Sequence, residues 1–163
     1  MLSATLASVT VDPLIWSANW AWSLPLIVLT AVIHVLGLGL ITRKIASVSN
    51  GVEERRYPTA AFAVIMGATT LSATILHGAE AAIWAAAYRL LGALPGGKSA
   101  MLYSLSAITS YGHAQLFLKE EWQLMGALEA LNGMLLFGLT TAVLFAMIQK
   151  VWSLRSRERH RQA

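Results

Sequence analysis

No cysteine occurs among the 163 residues, which excludes disulfides, thiolate metal sites and catalytic thiols. Charge is scarce too: 12% of residues are Asp, Glu, Lys or Arg against 56% hydrophobic, with a mean hydropathy of +0.60. A soluble domain of this length buries too little surface to hide so many apolar side chains. The chain therefore reads as an integral membrane protein, with membrane lipid as a partner and nothing directed at nucleic acid. No Ser-His-Asp set, water-facing carboxylate pair, phosphate-cradling glycine loop or zinc-binding spacing is evident, so an enzyme is not expected. The first two apolar runs also lack the spaced arginines of a voltage sensor. The first residues lack the basic region of a cleaved signal peptide and are expected to stay in the mature chain.

What is present is apolar length. A transmembrane helix needs about 20 mostly apolar residues. Runs at 24–42, 59–88 and 122–149 qualify, and their only ionisable groups are His34, then His77 with Glu80, then Glu129, apart from tyrosine. Lys and Arg beside helix ends are retained on the cytoplasmic side. Arg43, Lys44, Arg55 and Arg56 follow the first run, and Lys150, Arg155, Arg157, Arg159 and Arg161 follow the last. Both groups belong inside, which puts the N-terminus outside with Trp16, Trp20 and Trp22 in an interfacial belt, and the C-terminus in the cytoplasm.

That topology holds only if the connection at 92–121 leaves and returns on one side. Its centre, MLYSLSAITSYG at 101–112, is uncharged and rich in Ser, Thr and Tyr. A half-helix over about 99–107, at ~1.5 Å per residue, descends roughly 13 Å, near half of a ~30 Å hydrocarbon layer. An extended return of five or six residues at about 3.3 Å each covers a similar distance. Pro95, Gly96 and Gly97 supply the turn that sends the chain down. Backbone that is not helical at such depth must line water or be buried in protein. One small chain cannot enclose it, so copies are expected around an axis that the loop carbonyls ring as cation ligands.

These residues resemble a known family. YSLSAITSYGH at 103–113, followed by WQLMGALEALNGMLLFGLTTAVLF at 122–145, is similar to the tetrameric potassium-channel pore domain. The resemblance implies an all-α membrane protein with three transmembrane helices plus a re-entrant pore helix and filter loop, assembled as a homotetramer. In it 24–45 is a first helix, 59–91 the outer helix, 92–121 the pore helix and filter loop, and 122–152 the inner helix. The stretches 1–23, 46–58 and 153–163 are then an extracytoplasmic interfacial segment, a cytoplasmic loop and a basic cytoplasmic tail. The additional first helix looks like small bacterial members of that superfamily and implies the bacterial inner membrane.

The implied function is passive passage of monovalent cations, potassium first and sodium second. The implied filter is Ile108, Thr109, Ser110, Tyr111, Gly112 and His113, with potassium on the carbonyls of Thr109, Ser110, Tyr111 and Gly112. Asn132 is expected toward the cavity, with Gly133 and Gly138 where the family has hinge and close-packing glycines. The filter departs from the family pattern: Ser110 stands for its first glycine, Thr109 for its valine, Ile108 for its threonine and His113 for its aspartate.

Other polar residues carry two readings each. His113 either props the filter or forms an imidazole ring that protonates near pH ~6.5. Glu129 either braces the pore helix or attracts cations. His34, His77 and Glu80 either glue helices by hydrogen bonds, or His34 and His77 ligate a haem or metal in a small membrane electron carrier. Thr69, Thr70, Thr140 and Thr141 are expected to be ordinary packing residues. A pore-like accessory subunit that does not conduct is a further reading, and no cofactor is expected besides the permeant ions.

Overall fold

The computed structural model describes residues 13–49, 58–112 and 115–162, with side chains at 13–44, 60, 62–112 and 115–149. His113 and the basic groups at 55–56 and 150–161 lie outside the described side chains. Every described element is helical: α1 (Pro13–Ser49), α2 (Pro58–Leu90), α3 (Gly97–Ile108), a single 3-10 turn at Glu120–Trp122, and α4 (Gln123–Gln162). Pro13 and Pro58 each occupy a first helical position, where an amide proton would have no partner. α2 stops where Gly92 takes φ +66, letting Ala93 N donate to Tyr88 O and Gly92 N to Arg89 O.

Two boundaries differ from the sequence expectation. α1 starts at Pro13 rather than near residue 24, because nothing between Pro13 and Leu24 breaks a helix and Pro25 removes only one ladder bond. α4 continues through the basic tail to Gln162, through Leu, Arg, Glu and Gln that favour helix.

Three helices are long and apolar enough to cross a membrane, at Pro13–Lys44, Phe62–Leu90 and Glu120–Gln149, and only 17, 11 and 22% of their apolar windows are buried within the chain. The packing is inverted relative to a soluble bundle. Asn19, Ser23, Thr30 and His34 lie buried on one face of α1, while Val28, Val32, Val35 and Leu36 face outward. Hydrocarbon accepts those exposed side chains and excludes the polar ones, so polar pairing falls to the helix contacts.

The contacts fix the directions of the helices. Asn19 meets residues 121 and 125, Thr30 meets Asn132 and His34 meets Thr140, so α1 and α4 run parallel. Tyr88 meets Glu129 and His77 meets Thr140, so α2 runs against α4. We call the end holding Asn19, Arg89 and Glu121 the upper end. There Trp84, Tyr88, Ala93, Leu94, Leu118 and Met125 form the apolar core.

Asn19 fastens that end. Its Nδ2 donates to Glu121 O at 2.6 Å and its Oδ1 accepts from Met125 N at 2.9 Å, one of the first-turn amides of α4 that has no partner within its own helix. A residue more than 100 positions away thus caps α4. Asn19→Ala is expected to cost about 1–2 kcal/mol, read as a lower thermal midpoint in detergent. An unchanged midpoint would show that water or lipid replaces the cap.

Candidate functional site

α3 and the chain that follows it form the first candidate region. α3 descends beside α4 and parallel to it, so Tyr103 lies over Gly126 and Ile108 over Gly133, two turns further down. A Cβ on Gly126 would overlap the Tyr103 hydroxyl. One on Gly133 would overlap the Ile108 carbonyl oxygen and stand 2.7 Å from its carbon and 2.8 Å from its Cα. α3 therefore ends against α4 near the middle of the Glu120–Gln149 span. The chain then comes back, for Lys119 N donates to Ala93 O at 3.4 Å. Residues 97–112 lead away from the upper end, and at Lys119 the chain is back at it.

The end of α3 is a two-bond cap. Tyr111 N donates to Ser106 O and Ser110 N to Ala107 O, both at 2.9 Å. The cap requires a left-handed residue at 110, and Ser110 adopts φ +54 where glycine is usual. A side chain there costs about 1–2 kcal/mol relative to glycine. Gly112 is left-handed as well, at φ +80, with open space around it. Thr109, Ser110, Tyr111 and Gly112 are all exposed, Tyr111 at 87%. Ile108 stands apart from them, its side chain buried and its carbonyl turned onto Gly133.

Glu129 holds α3 from behind. Ser104 of α3 bonds both Ala81 O, at 2.6 Å, and Glu129 Oε1, while Tyr88 donates to Glu129 Oε2 at 2.6 Å. All three side chains are fully buried. This joins α2, α3 and α4 at one level. Asn132, expected toward a cavity, is 1% exposed and donates to Thr30 Oγ1 of α1 at 2.8 Å. Gly138 is exposed, with open space where a Cβ would stand.

The second candidate region lies lower, where α1, α2 and α4 meet. His34 Nδ1 is 2.9 Å from Glu80 Oε1, and His77 Nδ1 is 3.3 Å from Glu80 Oε2, a contact that leaves Oε2 without a hydrogen bond. Thr140 Oγ1 sits between the opposite ring edges, 3.0 Å from His34 Nε2 and 3.2 Å from His77 Nε2. His34 and Glu80 are fully buried, whereas the His77 side chain is 21% exposed.

No family model matches the chain, and comparisons with curated proteins and with solved structures return no match. The functional reading therefore rests on this chain's own residues.

Sequence reasoning singled out Glu129, His34, His77 and Glu80 but not their partners Ser104, Tyr88 and Thr140. One signal was present for Tyr88: with His77, Glu80, Trp84 and Tyr88 at steps of three and four, α2 carries a single polar and aromatic stripe. Thr140, read as a packing residue, is the hydroxyl shared by both imidazoles.

Proposed function

We propose that the protein is a passive channel for monovalent cations, potassium foremost, built as a homotetramer in which α3 is a re-entrant pore helix. The observation that carries this reading is that 97–119 starts and ends at one end of the bundle while its tip, at mid-span, leaves Thr109, Ser110, Tyr111 and Gly112 uncovered. Polar backbone at that depth requires water or further copies of the chain around it. The carbonyl end of α3 directs its negative dipole toward the same point, which favours a cation there. Two left-handed residues within three positions turn successive carbonyls in different directions, and Ser110 holds that conformation at a cost, as functional backbone does. The resemblance of 103–113 and 122–145 to potassium-channel pore domains points the same way. The charge bias then sets the upper end outside and the C-terminus in the cytoplasm of a bacterial inner membrane.

Reconstituted in liposomes with a potassium gradient, the wild-type chain is expected to dissipate the gradient, passing potassium faster than sodium and chloride not at all. Gly112→Ala places a Cβ in open space but on a left-handed backbone, so the variant is expected to fold and to lose most of the flux. A tetrameric wild type with no flux would instead identify a pore-like subunit that does not conduct. The electron-carrier reading has less support. A haem held by two imidazoles needs a flat slot between them, and here Glu80 and Thr140 span the two rings from both edges.

A further inference from the structure

The cluster of His34, His77, Glu80 and Thr140 takes no part in the proposed ion path, since Thr140 lies seven residues below Gly133 on α4, about 10 Å along the helix. We propose that His34, His77 and Glu80 form a binding site for one divalent transition-metal ion of the zinc class, with Thr140 as its positioning residue. This inference goes beyond the channel reading and stands without it.

The donor set supports it first. One ligand atom from each of the three residues lies within 4.8 Å of the others. A four-coordinate ion with bonds of about 2.0–2.1 Å needs ligand atoms ~3.3 Å apart. The 3.3 Å separation of His77 Nδ1 from Glu80 Oε2 already meets that; His34 Nδ1 stands 2.9 Å from the other carboxylate oxygen, Oε1, and the widest separation needs to close by no more than about 1.5 Å.

Hydrogen-bond geometry supports it next. A histidine that ligates a metal through one nitrogen usually donates its other N–H to an oxygen, which sets the tautomer. Thr140 Oγ1 faces both Nε2 atoms and has two lone pairs to accept them. With an ion bound, both Nε2–H groups would donate to Thr140 and each Nδ1 would turn a lone pair to the ion in place of the hydrogen bond between His34 Nδ1 and Glu80 Oε1, so that three lone-pair donors converge on one point. Glu80 Oε2, fully buried and without a hydrogen bond, is the ligand atom that such an ion would satisfy. Two imidazoles and a carboxylate select zinc, cobalt or nickel over magnesium and calcium, and the absence of cysteine removes the thiolates that copper(I) favours. The carboxylate offsets one of the two charges in this buried position. The partly exposed edge of His77, beside Phe137, is the open side of the site. A bound ion would tie α1, α2 and α4 together at one level.

The test uses the full chain without a polyhistidine tag, purified in detergent, treated with chelator and titrated with cobalt(II) chloride. The expected result is one Co²⁺ per chain with the visible absorption of a four-coordinate site, displaced by zinc chloride. His77→Gln and Glu80→Gln are expected to weaken Co²⁺ binding at least ~100-fold, and Thr140→Val roughly 10–100-fold. Joint replacement of the chain's other histidines, His113→Asn with His160→Asn, is expected to leave affinity and spectrum unchanged. Zinc should also raise the thermal midpoint of the wild type but not that of His77→Gln. If a ligand variant fails to fold, the wild-type spectrum and the His113/His160 variant still decide. No uptake by the wild type, a six-coordinate spectrum, loss of binding in the His113/His160 variant, or undiminished binding in His77→Gln would each overturn the site.

Discussion

Gly133→Ala is expected to disrupt the chain, while Gly138→Ala, five residues further along the same helix, leaves it intact. A methyl group at 133 has nowhere to go. It meets the carbonyl of Ile108, which is backbone held by the cap of α3, so no flexible side-chain end can swing aside. Either α3 lifts off α4 or the end of α3 unwinds. Overpacking of this kind costs about 3 kcal/mol or more, which corresponds to a drop on the order of 10 °C in the thermal midpoint for a chain of this size. At Gly138 nothing stands within 4 Å, and alanine is expected to shift the midpoint by less than about 1 kcal/mol equivalent, with helix propensity acting in its favour. Thermal unfolding in detergent, with size-exclusion profiles of both variants, measures the contrast. Equal behaviour of the two would mean that α3 does not rest on Gly133.

Glu129→Leu is the second large effect, and Glu129→Gln is its near-neutral counterpart. The reason lies in counting protons. Three contacts join Ser104, Tyr88, Glu129 and the Ala81 carbonyl, and each needs one hydrogen. Ser104 and Tyr88 supply one apiece, so with Ser104 donating to Ala81 O, the contact between Ser104 and Glu129 is filled by a proton on the carboxyl group. A glutamine reproduces that pattern, its amide N–H donating to Ser104 Oγ and its carbonyl accepting from Tyr88. Leucine strands both hydroxyls in a fully buried position, at about 1–3 kcal/mol for each group left unsatisfied. The expected order of thermal midpoints is wild type and Glu129→Gln close together, then Glu129→Leu well below. If Glu129→Gln fell as far as Glu129→Leu, the site would require a charge and the hydrogen count would be wrong.

Much of the helical framework was legible because the signals were strong and local. Three long apolar runs separated by charge became α1, α2 and α4. The uncharged stretch after Pro95, Gly96 and Gly97 became α3, within two residues of the expected ends. What stayed hidden depended on partners far away in the sequence. Helical spacing puts Glu129 and Asn132 near one another on α4, yet Glu129 turns to Ser104 and Tyr88 while Asn132 turns to Thr30. A family comparison gives depth along a helix but does not identify which neighbour an added first helix will touch. Asn19 was missed for a related reason, because it sits between tryptophans that read as an interfacial belt. Nor does residue type announce a left-handed serine: at the end of α2 the same cap uses Gly92, whereas at the end of α3 it uses Ser110.

The long reach of the α1 contacts has a consequence for biogenesis. Asn19, Thr30 and His34 are made in the first quarter of the chain, but their partners on α4 come 106, 102 and 106 positions later. During synthesis α1 enters the bilayer with three polar side chains that α4 cannot yet satisfy, and Glu80 of α2 relieves only His34. Until α4 is made, Thr30 donates to Leu26 O and Asn19 to Ile15 O within α1 itself, which leaves the Asn19 Oδ1 to be met from outside the helix. A chain truncated before residue 123 would leave Asn19 and Thr30 without these α4 partners, so the first helix reaches its final packing only once the last has been made.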